Sequence, residues 1–142
     1  MILVDANLLL YAYNKNAEHH KASRDWLERT LTGSQLVGFA WVSIWAFLRI
    51  STNVRVFAKP LATAEAEGIV ASWLDQSIAG IVEPGDRHWE ILRRLMKSGQ
   101  VSGPLVMDAV LAAIAIEHDA ILHSCDRDFV RFPNLKLHNP IA

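Results

Sequence analysis

Short apolar runs alternate with longer amphipathic stretches along the whole chain. The runs are too short for helices and end at a polar residue or a turn, which predicts strands over residues 2–5, 36–39, 80–84, 120–123 and 135–138. The stretches between them repeat apolar residues every three or four positions, which predicts helices over residues 6–13, 19–31, 41–50, 63–76, 87–98 and from 105 onwards. This alternation indicates an α/β fold, a three-layer α/β/α arrangement with a central, mostly parallel sheet.

Several of these helices carry specific predictions about burial and ends. The stretch 41–50 is apolar enough for a largely buried helix, and Asp86 is expected to cap the helix that ends near Ser98. One apolar face is predicted for the helix 19–31, formed by Ala22, Trp26, Leu27 and Leu31. One apolar stripe is predicted for the helix that starts at 105, formed by Val106, Ala109, Val110, Ala113 and Ile114.

Length and composition narrow the class of protein. A chain of 142 residues is expected to form one domain, residues 1–142. Its net charge of −1 gives no overall basic field, so any binding to nucleic acid must depend on local patches. The single cysteine, Cys125, excludes an intrachain disulfide, and no basic leader precedes Asp5, which fits a cytoplasmic protein. No apolar run approaches the length of a membrane span.

Four acids stand at the ends of predicted elements. Asp5 ends the first strand, Asp126 and Asp128 follow the strand 120–123, and Asp108 lies in the first turn of the helix from 105. The carboxyl ends of parallel strands meet at one edge of a sheet, where ligands bind, so we expect Asp5, Asp108 and Asp126 to converge there. Taken singly, each acid is equally well a loop or capping residue, and Asp128 in particular suits a turn.

Converging carboxylates imply a cation. Two carboxylates about 5 Å apart repel by roughly 3 kcal/mol at an effective dielectric near 20, so the cluster needs protons or metal ions. Oxygen ligands alone favour Mg²⁺ or Mn²⁺, which support phosphoryl chemistry. The six histidines show no metal-ligand spacing, and Cys125 is expected to be a small buried thiol whose pKa Asp126 raises. Six basic residues could grip a phosphate backbone or simply be surface charges: Arg49, Arg55, Lys59, Arg93, Arg94 and Lys97.

With these residues in place, the chain resembles the PIN-domain nucleases. Within them it is most similar to the VapC-type toxins of toxin–antitoxin pairs, in the branch abundant in mycobacteria. The resemblance covers essentially the whole chain and depends on four segments, MILVDANLLLYA, AFLRISTNVRVFAKPL, PGDRHW and MDAVLAAIAIEHDAILHSCDRDFVRFPNLK. It implies a metal-dependent endoribonuclease that works as a homodimer, cuts structured or translation-related RNA and is held inactive by a cognate antitoxin protein.

The resemblance also implies roles for single residues. Asp5, Asp108 and Asp126 match the family's catalytic, metal-binding acids, and Asp128 matches an auxiliary metal ligand. Many members carry a glutamate where this chain has Ala46, although the branch it resembles commonly shows the same AFLR segment. The loss of that glutamate bears on whether a second metal ion is firmly held.

The residues alone leave two other functional hypotheses open. The first is a PIN-like module with weak or no catalysis that binds antitoxin or RNA, for which Ala46 marks the lost chemistry. The second is another acid-rich α/β protein, a haloacid dehalogenase-type phosphatase or a receiver domain. The phosphatase requires a second aspartate where Asn7 stands, and a receiver requires paired acids after its first strand, so neither pattern is present.

Overall fold

A five-stranded parallel sheet forms the centre of the protein, seen here in a computed structural model that describes residues 1–142. Its strands are β1 (Ile2–Val4), β2 (Val37–Phe39), β3 (Ala79–Ile81), β4 (Ile121–His123) and β5 (Lys136–His138). They lie in the order β3-β2-β1-β4-β5, and every neighbouring pair is parallel. The chain builds outward from β1 to one side and then returns to add β4 and β5 on the other. The boundary between β1 and β4 is therefore the switch point at which such sheets bind ligands.

Six α-helices and one 3₁₀ helix connect the strands. The α-helices are α1 (Ala6–Tyr13), α2 (His20–Leu31), α3 (Trp41–Ser51), α4 (Thr63–Leu74), α5 (His88–Ser98) and α6 (Leu105–Glu117). The 3₁₀ helix covers Arg127–Arg131, a segment in which the sequence predicted neither a strand nor a helix. Every predicted strand and α-helix is present, with ends displaced by a few residues at most. None of the helices combines the length and the apolar character needed to cross a membrane.

Each face of the sheet covers its own apolar core, which confirms the three-layer α/β/α prediction. Alternate residues of a strand point to opposite faces, so Leu3 joins one core while Ile2 and Val4 join the other. The core around Leu3 is closed by α5, α6 and the 3₁₀ helix, and the other is closed by α1 to α4. The sheet is thereby fixed between two helical layers, and only its edges remain open.

Three burial predictions need correction. The helix α3 is not largely buried, because Trp41 and Trp45 are 38% and 59% exposed. On α2, Ala22 is exposed and Ser23 takes its place beside Trp26 in the core. The helix α6 buries more than one stripe, since all five residues from 111 to 115 are buried and the helix passes through the core.

The prediction that Asp86 caps α5 is also wrong. The residue before the helix is Arg87, and no side chain caps it. Instead, the Glu117 carboxylate at the end of α6 accepts the backbone N–H of Gly85 at 2.8 Å and that of Arg87 at 2.9 Å. A residue distant in sequence thus holds the turn that the local pattern assigned to Asp86.

Candidate active site

Three of the four predicted acids line one cavity at the carboxyl edge of the sheet. The cavity has a volume of about 490 Å³, and Asp5, Asp108 and Asp126 are in its wall. Asp5 directly follows β1 and Asp126 lies just beyond β4, and these two strands pair in parallel with Val4 opposite His123. The cavity therefore lies at the switch point of the sheet, where the sequence predicted that the acids converge.

Asp5 is the most buried of the four acids, with 8% of its surface exposed. Its backbone N–H donates to the His123 carbonyl at 3.0 Å and so continues the pairing of β1 with β4. The Ser124 hydroxyl donates to Asp5 Oδ2 at 2.7 Å. Burial raises the pKa of Asp5 to about 6, against the lowering effect of the Ser124 hydrogen bond. The carboxylate is a costly buried charge held at a fixed point.

Ser124 connects two acids, a role that the sequence did not predict. Besides donating to Asp5, its Oγ accepts the backbone N–H of Asp126 at 3.0 Å. The side chain is 2% exposed, so the two hydrogen bonds form away from solvent. A serine after a strand is common in turns, and its place between a strand end and an acid is the only sequence signal of this role.

Asp108 approaches the same cavity from the first turn of α6. Burial raises its pKa to about 6, and the negative charges of Asp126, Asp5 and Asp128 add to the rise. The nearby Arg131 guanidinium lowers it in part. The acids therefore interact electrostatically as one cluster.

The loop after β4 presents the last two acids. Asp126 precedes the 3₁₀ helix and caps it, since its Oδ1 accepts the Asp128 backbone N–H at 2.8 Å. Carboxylate oxygens of Asp108, Asp126 and Asp128 all lie within 4.8 Å of one another. Asp128 is exposed and does not line the cavity, while Asp5 lines it but lies outside this group of three. The four acids thus form two overlapping sets that share Asp108 and Asp126.

This donor set fits a hard divalent cation. Mg²⁺ binds oxygen at about 2.0–2.1 Å, so oxygens on one ion lie within about 4 Å of each other, close to the spacing of the three carboxylates. Only one ion pair of the chain includes one of these acids, and it joins Arg131 Nη2 to Asp128 Oδ1 at 3.9 Å. One guanidinium cannot neutralise the cluster. No histidine or cysteine joins the group, which disfavours zinc.

The wall formed by α3 carries no acid. Ala46 lines the cavity at the position where the resemblance would place a glutamate, and its small side chain leaves that space open. Trp45 directly precedes Ala46, and Arg49 follows Trp45 by one helical turn; both side chains line the cavity with Ala46. The sequence named Arg49 as a possible phosphate ligand but predicted burial for Trp45. The cavity is therefore acidic on one side and aromatic and cationic on α3.

The remaining candidate groups stay outside this cavity. The Cys125 thiol is half-buried, and burial, with Asp5 as a further cause, raises its pKa, in the direction that the sequence predicted from Asp126 alone. The rings of His123 and His138 lie 5.0 Å apart, and burial lowers the pKa of His123 to about 4. Both histidines belong to neighbouring strands and face each other, which agrees with structural roles.

The chain matches a known protein family over almost its whole length. The model of the PIN domain matches residues 2–135. The chain is 46% identical to the ribonuclease VapC37 of Mycobacterium tuberculosis, over 100% of this chain and 99% of that protein. Two solved structures share the fold at lower identity. VapBC2 from Rickettsia felis, bound to a DNA fragment from the promoter, has a TM-score of 0.71 at 19% identity and covers 98% of both chains. A toxin–antitoxin complex from Klebsiella pneumoniae has a TM-score of 0.65 at 14% identity, over 99% of this chain and 98% of that one. A switch-point cavity lined by acids, a family model that spans nearly the whole chain and a full-length relative agree, and the chain belongs to the PIN domain family.

Proposed function

We propose that this protein is the toxin component of a toxin–antitoxin pair and a metal-dependent endoribonuclease that hydrolyses RNA phosphodiester bonds. The observation that carries the proposal is the meeting of Asp5, Asp108 and Asp126 in one cavity of a PIN domain. The full-length similarity to a protein named as a ribonuclease supports the substrate class.

The acids are assigned to a Mg²⁺ or Mn²⁺ site. Asp108, Asp126 and Asp128 supply the three mutually closest oxygens, and Asp5 completes the set from the buried side of the cavity. Such an ion, when bound, activates water and neutralises charge on the scissile phosphate and the leaving oxygen. Asp5, Asp108 and Asp126 are the residues proposed to carry catalysis.

The protein's own contribution is to fix these groups in place. The Ser124 hydroxyl holds Asp5 Oδ2, and its oxygen holds the backbone of Asp126, so neither acid needs to reorganise when substrate arrives. Burial raises the pKa of Asp5 to about 6, so the carboxylate is still mostly ionised at neutral pH and can bind a cation.

The proposal includes a cognate antitoxin, a homodimeric assembly and action on cytoplasmic RNA. The toxin–antitoxin complex among the similar structures supports the antitoxin. Exposed apolar side chains outside the cavity offer contact area to a protein partner, and Val54 and Val56 are 75% and 57% exposed. The homodimer is implied by the resemblance, and the single cysteine fits a cytoplasmic location.

The test is cleavage of a panel of structured RNAs with Mn²⁺, with and without a chelator. We expect cleavage that the chelator abolishes and that Asp5→Asn and Asp126→Asn reduce at least 100-fold (about 3 kcal/mol of transition-state stabilisation). Glu67→Gln on the exposed face of α4 removes one carboxylate charge away from the cavity and should cut at the wild-type rate. Full cleavage by Asp5→Asn would reject the mechanism.

Ala46 favours one alternative, a PIN-like module with weak or no catalysis that binds antitoxin or RNA. The cavity lacks any carboxylate from α3, so fewer oxygens are available to a second ion. The same assay separates the two functions, because a binding module would retain RNA without cutting it under any metal condition.

A further inference from the structure

An exposed tryptophan pair stands directly beside the acidic cavity. Trp41 and Trp45 are one helical turn apart on α3, with ring centroids 6.3 Å apart and ring planes inclined by 19°. They are 38% and 59% exposed, although tryptophan is a large side chain that is highly buried on average. The buried apolar side chains of α3 are Ile44 and Phe47, and the tryptophan pair belongs to neither apolar core.

Trp45 separates two cavities. On one side it lines the cavity of Asp5, Asp108 and Asp126. On the other side, Trp41 and Trp45 line a second cavity of about 310 Å³ whose walls are mostly apolar, with Val82, Pro84, Val110 and Ile114. The two cavities share Val42 and Trp45 and therefore adjoin each other along α3. A chain that leaves the acids in this direction passes over the indole ring of Trp45.

Arg49 adds a phosphate ligand to this path. It lines the acidic cavity one turn after Trp45, is exposed, and makes no ion pair with any acid. Along one face of α3, the Arg49 guanidinium is therefore followed by the rings of Trp45 and Trp41. Arg49 and Trp45 also line the cavity that contains the acids. This order matches a nucleic-acid strand, in which charged phosphates alternate with flat bases.

The geometry points to Trp45, supported by Trp41, as a base-stacking platform that holds an unpaired nucleotide next to the scissile phosphate, with Arg49 on the neighbouring phosphate. This inference depends on the proposed ribonuclease function and names its substrate class, RNA whose bases are unpaired at the cut. A base in a duplex is stacked on its neighbours and cannot present its face to an indole. The apolar second cavity receives the base, and Trp45 and Arg49 are positioning residues for substrate.

The experiment measures binding and cleavage separately. Binding of a labelled single-stranded RNA is measured by fluorescence anisotropy. The proteins in this assay also carry Asp5→Asn, so that the RNA is not cut during the measurement. Cleavage is followed with the Asp5-containing protein and Mn²⁺, on one RNA with the target site in a loop and on the same RNA with the site annealed into a duplex. Trp45→Ala, Trp45→Phe and Arg49→Ala are compared with Trp89→Ala, the matched control, because Trp89 is 65% exposed on α5 and lines neither cavity.

We expect Trp45→Ala to weaken RNA binding by roughly 5- to 150-fold, the range for loss of one base–aromatic stack. Trp45→Phe should recover most of the affinity, since a smaller ring still stacks. In cleavage, the loss should appear mainly in KM, and replacing the nucleotide beside the cut by an abasic one should remove the difference between wild type and Trp45→Ala. Trp89→Ala should behave as wild type in both assays.

Two results would overturn the inference while leaving the proposed function intact. One is efficient cleavage by the wild type with Trp45→Ala indistinguishable from Trp89→Ala. The other is a change of oligomeric state in Trp45→Ala, measured by analytical ultracentrifugation at the assay concentration, because the pair would then belong to a contact between copies of the chain. If the wild type cuts no RNA but Trp45 still governs RNA binding, the failure lies in the proposed catalysis and not in the platform.

Discussion

Replacing Asp5 with asparagine should make the metal-free protein more stable. Asp5 is 8% exposed and its pKa is raised to about 6 from 3.8, chiefly by burial. The folded state therefore binds the proton more tightly than the unfolded chain does. The stabilising contribution of the protonated group is fully present below pH 3.8 and is lost as the pH rises through about 6. Above that pH the ionised carboxylate lowers the free energy of unfolding.

The size of this cost follows from the shift. A pKa difference of about two units corresponds to about 3 kcal/mol at pH values above both pKa values. The asparagine carbonyl can still accept the hydrogen bond from Ser124, but a bond to a neutral acceptor is weaker than one to a carboxylate. We therefore expect Asp5→Asn to raise the free energy of unfolding by about 2 to 3 kcal/mol at pH 7.5, and by little at pH 4.

The assay is urea unfolding in the presence of a chelator, at several pH values from 4 to 8. With a slope of roughly 1–3 kcal/mol per molar urea, the expected gain moves the midpoint at pH 7.5 upward by about 1 M or more. Glu67→Gln is the control, since it removes an exposed carboxylate and changes the net charge by the same amount. The electrostatic account of Asp5 fails if Asp5→Asn is no more stable than wild type at pH 7.5, or if its advantage does not shrink on acidification.

Three further predictions test the site and the sheet. Adding Mn²⁺ should raise the melting temperature of the wild type by mass action, and Asp126→Asn should erase most of that response; an equal response in both would speak against a site that includes Asp126. Gly38→Ala should destabilise by about 1–3 kcal/mol in urea unfolding, because a Cβ there overlaps Val82 Cγ2, whereas Gly80→Ala in the neighbouring strand meets nothing and should be near neutral; equal effects would contradict the packing argument. Burial holds the pKa of His123 at about 4, so its neutral form stabilises the fold above pH 6.5, and this contribution is lost as the pH falls toward 4. Thermal melts should show that the stability of wild type relative to His123→Gln falls over this range, and a constant difference would refute it.

The sequence predicted the layers and the position of the site because both depend on regular patterns. The first apolar run ends in Asp5 and the run 120–123 is followed closely by Asp126, and the rule for parallel sheets then placed both acids at one edge. Asp108 followed because the helix that contains it leads into β4. No long-range contact had to be guessed for this part of the prediction.

The rest failed where one residue's environment depends on a distant one. At the start of α5, Glu117 takes the role predicted for Asp86. It accepts hydrogen bonds from Gly85 and Arg87, which precede it by 32 and 30 positions, and no local capping rule predicts contacts at such a distance. The helix α3 has the apolar composition of a core helix. Apolar character alone cannot distinguish its buried side chains from Trp41 and Trp45, which are exposed beside the site. Ser124 went unrecognised because its importance lies in a hydrogen bond to Asp5, 119 residues away.

The order of strands in the sheet controls when during synthesis the nuclease can exist. The first strand to leave the ribosome, β1, pairs with β4, which is made near the end of the chain. A nascent chain that stops before β4 can build the layer of α1 to α4 against β1, β2 and β3, but it has neither Asp126 nor Asp128 and leaves Asp5 without Ser124. The proposed site is therefore complete only after β4 and the loop beyond it have been made, and we expect a product truncated before β4 to lack cleavage activity.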